Sequence, residues 1–246
     1  MNIYNHLSSG KHHVTNGEDY LYHQYINEKY LIAAVMDGCS SGKESFFASA
    51  AYGKSLRKSC RMLPNMKEII PVFDLLSMEK EAIGAFILQQ LFTDIKKLKK
   101  LFFLNIEEIL STLTLMVFDL NNNSAWVNMS GDGIIYCNGE LHEIDQKNMP
   151  DYLGYHLDKP FEVWYQDHTE CKEYSNITDI SISTDGINKL VQKTPGEGEK
   201  IDPIDYFLGQ KPKIHSEKFL DEAYQYLTKS IGYIPYDDMG IIRIIS

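Results

Sequence analysis

Cysteine is scarce in this chain of 246 residues, which contains four. Cys39, Cys60, Cys137 and Cys171 are scattered and form no CxxC pair. Met1 to Gly10 is a polar segment and lacks the basic and then apolar pattern of a secretory leader. We therefore expect a soluble cytoplasmic protein whose thiols are reduced.

Positive charge is in deficit. The chain has 24 lysines and arginines against 34 acidic residues, which gives a formal net charge of −10. Because phosphate-rich surfaces are bound by clustered cations, this balance argues against nucleic acid or a membrane surface as a partner. The one dense basic run, Lys96 to Lys100, is typical of the solvated face of a helix. No apolar stretch is long enough to cross a bilayer.

Apolar residues, by contrast, are plentiful enough for a substantial core. The composition is 43% hydrophobic, 12% aromatic and 24% charged, which is ordinary for a globular protein and excludes collagen-like, coiled-coil and mainly disordered chains. Neither an internal repeat nor a low-complexity linker divides the chain. We therefore predict one α+β domain over residues 1–246.

The first half of the chain predicts one strand and two long helices. Tyr30 to Met36 is a short apolar run that stops at Asp37-Gly38, as a buried strand does. Lys43 to Met62 contains no proline and favours a helix. The second helix, Met78 to Phe103, has one apolar stripe at three- and four-residue steps, formed by Ile83, Phe86, Ile87, Leu91, Ile95, Leu98 and Phe102.

The middle of the chain changes to strand-like patterns. Asn138-Gly139 is the strongest short hairpin signal. We predict an antiparallel meander of half-buried strands, formed by Thr112 to Leu120, Ala125 to Met129, Gly133 to Cys137 and Glu140 to Ile144.

The last third alternates irregular and regular segments. Asp151 to Ser175 has no clear period. Ile177 to Thr184 predicts a strand that ends at Asp185-Gly186, and Ile187 to Gln192 a short helical stretch. A helix from Ser216 to about Ser230 and a final strand from Ile241 to Ile245 follow.

Aspartates at strand ends are the most informative pattern. Asp37, Asp185 and Asp237 each lie between an apolar strand and a turn, and Asp132 precedes another strand. Strand ends at one sheet edge can bring distant carboxylates together, where they repel one another unless a cation neutralises them. Mg²⁺ and Mn²⁺ prefer oxygen ligands, and two such ions can share a carboxylate. Taken singly, each Asp-Gly pair is better explained by a turn than by a metal site.

The order of these acids carries a resemblance. Six motifs follow one another along the chain: Asn16-Gly17-Glu18-Asp19, Val35-Met36-Asp37-Gly38 with Ser41-Gly42, Leu110-Ser111-Thr112-Leu113, Ser130-Gly131-Asp132-Gly133, Ser183-Thr184-Asp185-Gly186 and Asp237-Asp238-Met239. From Asn16 to Ile245, this series resembles the metal-dependent protein serine/threonine phosphatases of the protein phosphatase 2C family.

The resemblance implies a four-layer α-β-β-α sandwich of two antiparallel sheets, with a binuclear Mg²⁺ or Mn²⁺ site at one end. By carry-over, Asp37 bridges the two ions and the Gly38 carbonyl binds one of them. Asp185 and Asp237 hold the other ion. Asp132 serves a weaker third ion.

The same resemblance implies an activity. Glu18 and Asp19 would orient metal-bound waters, and a water activated by the two ions would attack phosphorus in phosphoserine or phosphothreonine. No cysteine or serine nucleophile is needed. The expected partner is a phosphoprotein, namely a kinase or a kinase target.

One departure from the family keeps other functions open. Many members have an arginine shortly before the first motif to grip phosphate, but this chain has Lys11-His12-His13 there and no arginine before Arg57. Either Lys11, His12 or His13 contributes a positive group, or substrate binding is weak. An equally good interpretation is that these three are surface residues of a mobile terminus. The alternatives are a non-catalytic phosphatase-like module that binds a phosphoprotein or kinase, and a hydrolase of a small phosphorylated metabolite.

Several other conspicuous residues are interpreted as structural. Cys39 is expected to be a small buried residue. Trp126 and Trp164 are expected in the core. The remaining histidines show no metal-ligand spacing: His142, His156, His168 and His215.

Overall fold

The computed structural model describes residues 1–11, 13, 17–42, 44–70, 74–147, 149–193, 200–210 and 216–246. The predictions that concern His12, Asn16 and His215 lie outside these residues. None of the described helices has the length and apolarity that crossing a bilayer requires.

The strands and helices cover most of the described chain. The strands are β1 (Asn2–Ser8), β2 (Asp19–Tyr25), β3 (Tyr30–Asp37), β4 (Leu113–Asp119), β5 (Ser124–Ser130), β6 (Gly133–Cys137), β7 (Glu140–Ile144), β8 (Glu170–Tyr174), β9 (Asp179–Ser183), β10 (Leu190–Gln192), β11 (Tyr233–Pro235) and β12 (Met239–Ile245). The helices are α1 (Ser45–Met62), α2 (Met66–Ile69), α3 (Lys80–Phe102), α4 (Phe161–Asp167) and α5 (Phe219–Gln225), with π-helical turns at Asp205–Gly209 and Tyr226–Ile231. Short 3₁₀ turns lie at Leu63–Asn65, Leu75–Ser77, Ile106–Ile109, Leu153–His156 and Asp185–Lys189.

Two five-stranded antiparallel sheets form the centre of the fold. Sheet I has the order β1-β12-β9-β6-β7, and sheet II has the order β2-β3-β4-β5-β8. β10 and β11 form a separate two-stranded pair. The first and last strands of the chain therefore pair with each other, with β1 at an edge of sheet I and β12 inside it.

Alternation along each strand divides the apolar residues among three layers. In β3, Leu31, Ala33 and Val35 pack between the two sheets. Ile32, Ala34 and Met36 point to the other face and pack under α1 and α3. A third apolar layer covers the outer face of sheet I with α5 and its neighbouring turns. The predicted α-β-β-α sandwich is confirmed.

The predicted meander of half-buried strands is wrong in two respects. β4 and β5 lie in sheet II, whereas β6 and β7 lie in sheet I. The chain crosses between the sheets at Gly131, whose φ of 77° is a left-handed conformation that glycine adopts readily. Moreover, β4 and β5 are buried along their whole length, since helices cover one face and sheet I covers the other.

Other differences occur at edges and ends. β1 and β2 were not predicted, and β8 lies within the segment expected to be irregular. The stretch expected to be helical from Ile187 to Gln192 is a 3₁₀ turn followed by β10. Phe102 is 60% exposed because the last turn of α3 lies in solvent, so it does not belong to the buried stripe.

Candidate metal centre

Aspartates from both sheets meet at one end of the sandwich. Asp19 begins β2 and lies directly opposite Asp37 at the end of β3. Asp185 follows β9, and Asp237 precedes β12, which pairs with β9. The negative charges of Asp19, Asp185 and Asp237 all act on Asp37. The structure therefore brings these four predicted residues together.

The exposure of these acids divides them into two groups. Asp37, Asp185 and Asp237 are partly open to solvent, with Asp237 37% exposed. Glu18, Asp19 and Asp238 are buried behind them. Three of the predicted ligands are therefore half-buried, whereas Asp132 is buried, as are the two residues predicted to orient water and Asp238.

Proximity and loss of hydration perturb the acids. Desolvation raises the pKa of Asp37 well above its usual range, and the charges of Asp19 and Asp185 raise it further. Desolvation likewise raises the pKa of Asp19. For Asp185 it raises the pKa to about 6, although Lys189, with its Nζ 3.8 Å from the carboxylate, opposes the shift.

Few cations offset this charge within the described residues. His13 places Nδ1 3.1 Å from Asp238 Oδ1 and Nε2 3.4 Å from Glu18 Oε1. Burial lowers the pKa of His13, but the hydrogen bond to Asp238 and the surrounding acids outweigh burial and raise it overall. Asp19 Oδ1 is buried and has no hydrogen-bond partner among these residues. An oxygen-rich donor set with excess negative charge fits a hard divalent cation.

Asp238 is a supporting residue that the sequence analysis did not single out. Its carboxylate accepts hydrogen bonds from the backbone N–H of Gly10, at 2.6 Å, and of Glu18. The Glu18 carboxylate in turn accepts a hydrogen bond of 2.6 Å from Ser40 Oγ. Asp238 thus ties the segment before β2 to the loop before β12.

Thr184 performs a similar task for Asp19. Its hydroxyl donates to Asp19 Oδ2 at 2.7 Å and accepts a hydrogen bond from the Gly240 N–H at 2.9 Å. This pair of bonds fixes one oxygen of Asp19 and leaves the other oxygen unpartnered. Nothing in the sequence distinguishes Thr184 beyond its place next to Asp185.

The glycines after Asp37 and Asp185 are required by close backbone contacts. A Cβ added at Gly38 would lie 2.2 Å from the Ser45 carbonyl oxygen. A Cβ added at Gly186 would lie 1.6 Å from the Asp238 carbonyl oxygen. These Asp-Gly pairs therefore allow neighbouring loops to pack against the acidic strand ends.

Asp132 lies beside this group. Its Oδ1 accepts a 2.8 Å hydrogen bond from the Gln146 N–H. Its charge contributes to the raised pKa of Asp185, which is therefore its neighbour. Desolvation also raises the pKa of Asp132.

The two described residues that replace the expected arginine are both engaged. Lys11 Nζ lies 5.7 Å from the centroid of the Tyr236 ring. His13 contacts Glu18 and Asp238, as described above. Arg57 lies on α1, and its guanidinium donates a hydrogen bond of 3.1 Å to the Tyr20 hydroxyl.

The expectations for the remaining residues had mixed outcomes. Trp126 and Trp164 are buried in the core, as predicted. Cys39 is half-buried rather than buried, with its Sγ 3.1 Å from Ser41 Oγ.

Two histidines without metal-ligand spacing nevertheless meet a carboxylate. Asp151, His156 and His168 place a ligand atom each within 4.8 Å of one another. We call the group of Asp19, Asp37, Asp185 and Asp237 the acidic centre. Across the described chain no other histidine, cysteine or acidic trio is as close as this one, so the carboxylates of the acidic centre are spaced more widely. Burial would raise the pKa of Asp151, but hydrogen bonds with His156 and His168 lower it overall.

Comparison with known proteins identifies a family whose members are metal-dependent, in agreement with the acidic centre. A family model described as protein phosphatase 2C matches residues 8–222. The chain belongs to the protein phosphatase 2C family. Membership in this metal-dependent family supports a phosphatase enzyme. Comparison with curated proteins finds no match.

Solved structures share the protein phosphatase 2C fold over nearly the whole chain. A bacterial serine phosphatase with an arginine-to-alanine substitution is 14% identical, with a TM-score of 0.66 and coverage of 100% of this chain and 98% of that one. Stp1, a serine/threonine phosphatase from Staphylococcus aureus, is 14% identical, with a TM-score of 0.61 and coverage of 99% and 94%. RsbX, in complex with magnesium, is 16% identical, with a TM-score of 0.56 and coverage of 98% and 94%. At such identities the likeness shows the fold.

Proposed function

We propose that the protein is a metal-dependent phosphatase that hydrolyses phosphoserine and phosphothreonine in proteins at the acidic centre. The observation that carries the proposal is the convergence of Asp37, Asp185 and Asp237 at one end of the sandwich. Negative charge there exceeds the positive charge that His13 and Lys189 bring, and divalent cations would restore the balance.

The proposal assigns Mg²⁺ or Mn²⁺ to this centre as two ions. Asp37 would hold both ions, the Gly38 carbonyl would bind one of them, and Asp185 and Asp237 would hold the other. Asp132 would hold a weaker third ion. When bound, the ions supply Lewis acidity and lower the pKa of water at the centre.

The protein's own residues position the reactants. Glu18 is fixed by Ser40 and, through its backbone, by Asp238. Asp19 is fixed by Thr184. In the proposal both carboxylates accept hydrogen bonds from water and so orient it toward the phosphoryl group, and their burial reduces reorganisation during the reaction. His13 supplies positive charge beside them.

The substrate class and the cellular compartment belong to the same proposal. The substrate is a phosphoprotein, either a kinase or a kinase target, and the protein acts in the cytoplasm as one domain over residues 1–246. The substrate class rests on the family, and the compartment and the extent of the domain rest on the sequence.

The test is hydrolysis of para-nitrophenyl phosphate and of a phosphothreonine peptide by the purified protein with Mn²⁺. We expect turnover of both, loss of turnover in EDTA, and a fall of at least about 100-fold in kcat for Asp37→Asn. Asp94→Asn is the matched control because Asp94 pairs with Lys58 on the helical layer. Turnover that persists in EDTA or in Asp37→Asn would refute the proposal.

The engaged state of Lys11 and His13 favours one alternative, a non-catalytic module that binds a phosphoprotein or kinase. In that case the phosphopeptide binds but is not hydrolysed under any metal condition. Hydrolysis of small phosphate esters without hydrolysis of the peptide would instead indicate a metabolite phosphatase.

A further inference from the structure

The loop after β7 and the segment around α4 bring two imidazoles onto one carboxylate. Asp151 Oδ1 lies 2.5 Å from His156 Nε2, and Asp151 Oδ2 lies 2.7 Å from His168 Nδ1. The two rings stack, with their centroids 3.7 Å apart and their planes at 23°. Stacking presents one nitrogen of each ring to the same side, where the carboxylate lies.

His156 is poorly explained by a structural role alone. It is 7% exposed, and its Nδ1 has no hydrogen-bond partner among the described residues. Buried polar atoms are usually hydrogen-bonded, so a histidine buried for structure alone normally satisfies both nitrogens. With Nδ1 unpartnered, Nε2 is the nitrogen that anchors this ring, through the Asp151 carboxylate.

We propose that Asp151, His156 and His168 form a Zn²⁺ site separate from the acidic centre. Two imidazole nitrogens and one carboxylate are a donor set that suits Zn²⁺, whereas Mg²⁺ prefers oxygen ligands and waters. The Asp151 side chain is 36% exposed, so a fourth position remains open to solvent. The proposal is independent of the phosphatase activity.

Lys159 is a competitor for this site. Its Nζ lies 3.0 Å from His168 Nε2. An ammonium group can only donate, so in this state Nε2 accepts and Nδ1 carries the proton that faces Asp151. Zn²⁺ at Nδ1 requires that proton to move to Nε2, where it would face the ammonium. Lys159 is exposed and can turn away, at a cost to zinc affinity.

The site has a direct connection to the acidic centre. The Asp151 N–H donates to Gln146 Oε1 at 2.6 Å, and the Gln146 N–H donates to Asp132 at 2.8 Å. Zinc would therefore fix Asp151, and through it Gln146, beside Asp132. Its role would be to position these two residues, and it would take no part in the chemistry.

The test titrates Zn²⁺ into the full chain after the oxygen sites are saturated with Mg²⁺. We expect one Zn²⁺ to bind, with affinity reduced at least about 100-fold in His156→Asn and His168→Asn. Co²⁺ in place of Zn²⁺ should give the visible bands of a nitrogen-ligated, four-coordinate ion. His142→Asn is the matched control, since its Nε2 lies 2.9 Å from Glu170 outside the cluster.

A second variant leaves the ligands intact. Lys159→Gln should bind Zn²⁺ several-fold more tightly, because it removes the competing cation without touching Asp151 or the two rings. Circular dichroism of each variant in EDTA reports whether it folds. No zinc bound to the magnesium-saturated protein, or equal affinity in wild type and both histidine variants, would overturn the proposal and leave a hydrogen-bonded trio.

Discussion

Asp19 and Asp37 lie directly opposite each other in the antiparallel register of β2 and β3, so two carboxylates share one strand end. Of the two, Asp19 is the buried one, and its carboxylate accepts a hydrogen bond from Thr184. Without metal this arrangement concentrates negative charge, and the raised pKa values of both groups express that cost. The empty acidic centre therefore opposes folding, and a bound cation would offset this repulsion. The stability of the fold should consequently depend on metal.

The first prediction concerns stability without metal. Asp19→Asn removes one of the facing charges and should raise the free energy of unfolding in EDTA at pH 8 by about 1–2 kcal/mol. Asp94→Asn breaks an ion pair with Lys58 and should lower it by up to about 1 kcal/mol. Urea unfolding measures both. Equal destabilisation by the two variants would mean that repulsion at the strand end is negligible.

The second prediction concerns proton competition with Mn²⁺. The folded pKa of Asp185, about 6, exceeds its unfolded value, so protonation stabilises the metal-free fold and this contribution is lost as pH rises from about 4 through 6. A protonated carboxyl cannot bind the ion, so Mn²⁺ affinity should increase about fivefold from pH 5 to pH 6, reach about tenfold at pH 7 and then level off. Calorimetry measures this. The increase should be shallower in Asp185→Asn, and a pH-independent affinity in the wild type would contradict the prediction.

The third prediction concerns a buried ion pair outside the centre. Arg243 is fully buried on the outer face of sheet I, where it donates to Asp179 at 2.9 and 2.5 Å and to the Phe207 carbonyl at 2.7 Å. Arg243→Met leaves Asp179 without its partner and should cost about 3–5 kcal/mol. Adding Asp179→Leu should restore much of this stability. A double-mutant cycle by chemical denaturation tests the coupling, and additive effects would contradict it.

The fourth prediction compares two glycines. Gly186→Ala forces a Cβ into the Asp238 carbonyl and should weaken Mn²⁺ binding, because the loops that carry Asp185 and Asp238 must separate. Gly139→Ala has open space around its Cβ but a φ of 94°, so it should cost only about 1 kcal/mol and leave metal binding unchanged. Equal Mn²⁺ affinity in the two variants would show that the tight contact does not matter for the centre.

Sequence periodicity predicted the helices and strands whose burial pattern is encoded locally. β3, α1, α3 and the β6–β7 hairpin have apolar runs, helical stripes or a turn signal that local sequence encodes. β1 and β2 were missed because each is the edge strand of its sheet, where polar residues are tolerated and the apolar signal is weak. The sheet change between β5 and β6 depends on packing of distant layers, which no local pattern records.

The centre was predictable to the extent that its acids follow strands. Asp37, Asp185 and Asp237 stand beside apolar runs, so sheet geometry allowed them to meet. The resemblance to the phosphatase family implied that they share one site. Asp238 and Thr184 were not distinguished, because their hydrogen bonds join segments far apart in the chain. The pairing of His156 with His168 depends on how α4 folds back and has no fixed spacing in sequence.

The acidic centre is formed by residues far apart in the sequence, because Asp19 and Asp37 precede Asp237 by about 200 residues. β12, which follows Asp237, lies between β1 and β9 in sheet I. A ribosome therefore exposes the first carboxylates long before it makes the last. During synthesis the cluster lacks the loop that carries Asp237. We therefore expect catalytic activity to arise only after translation of β12. Nascent chains stalled before Asp237 should remain inactive, however long they are incubated with manganese.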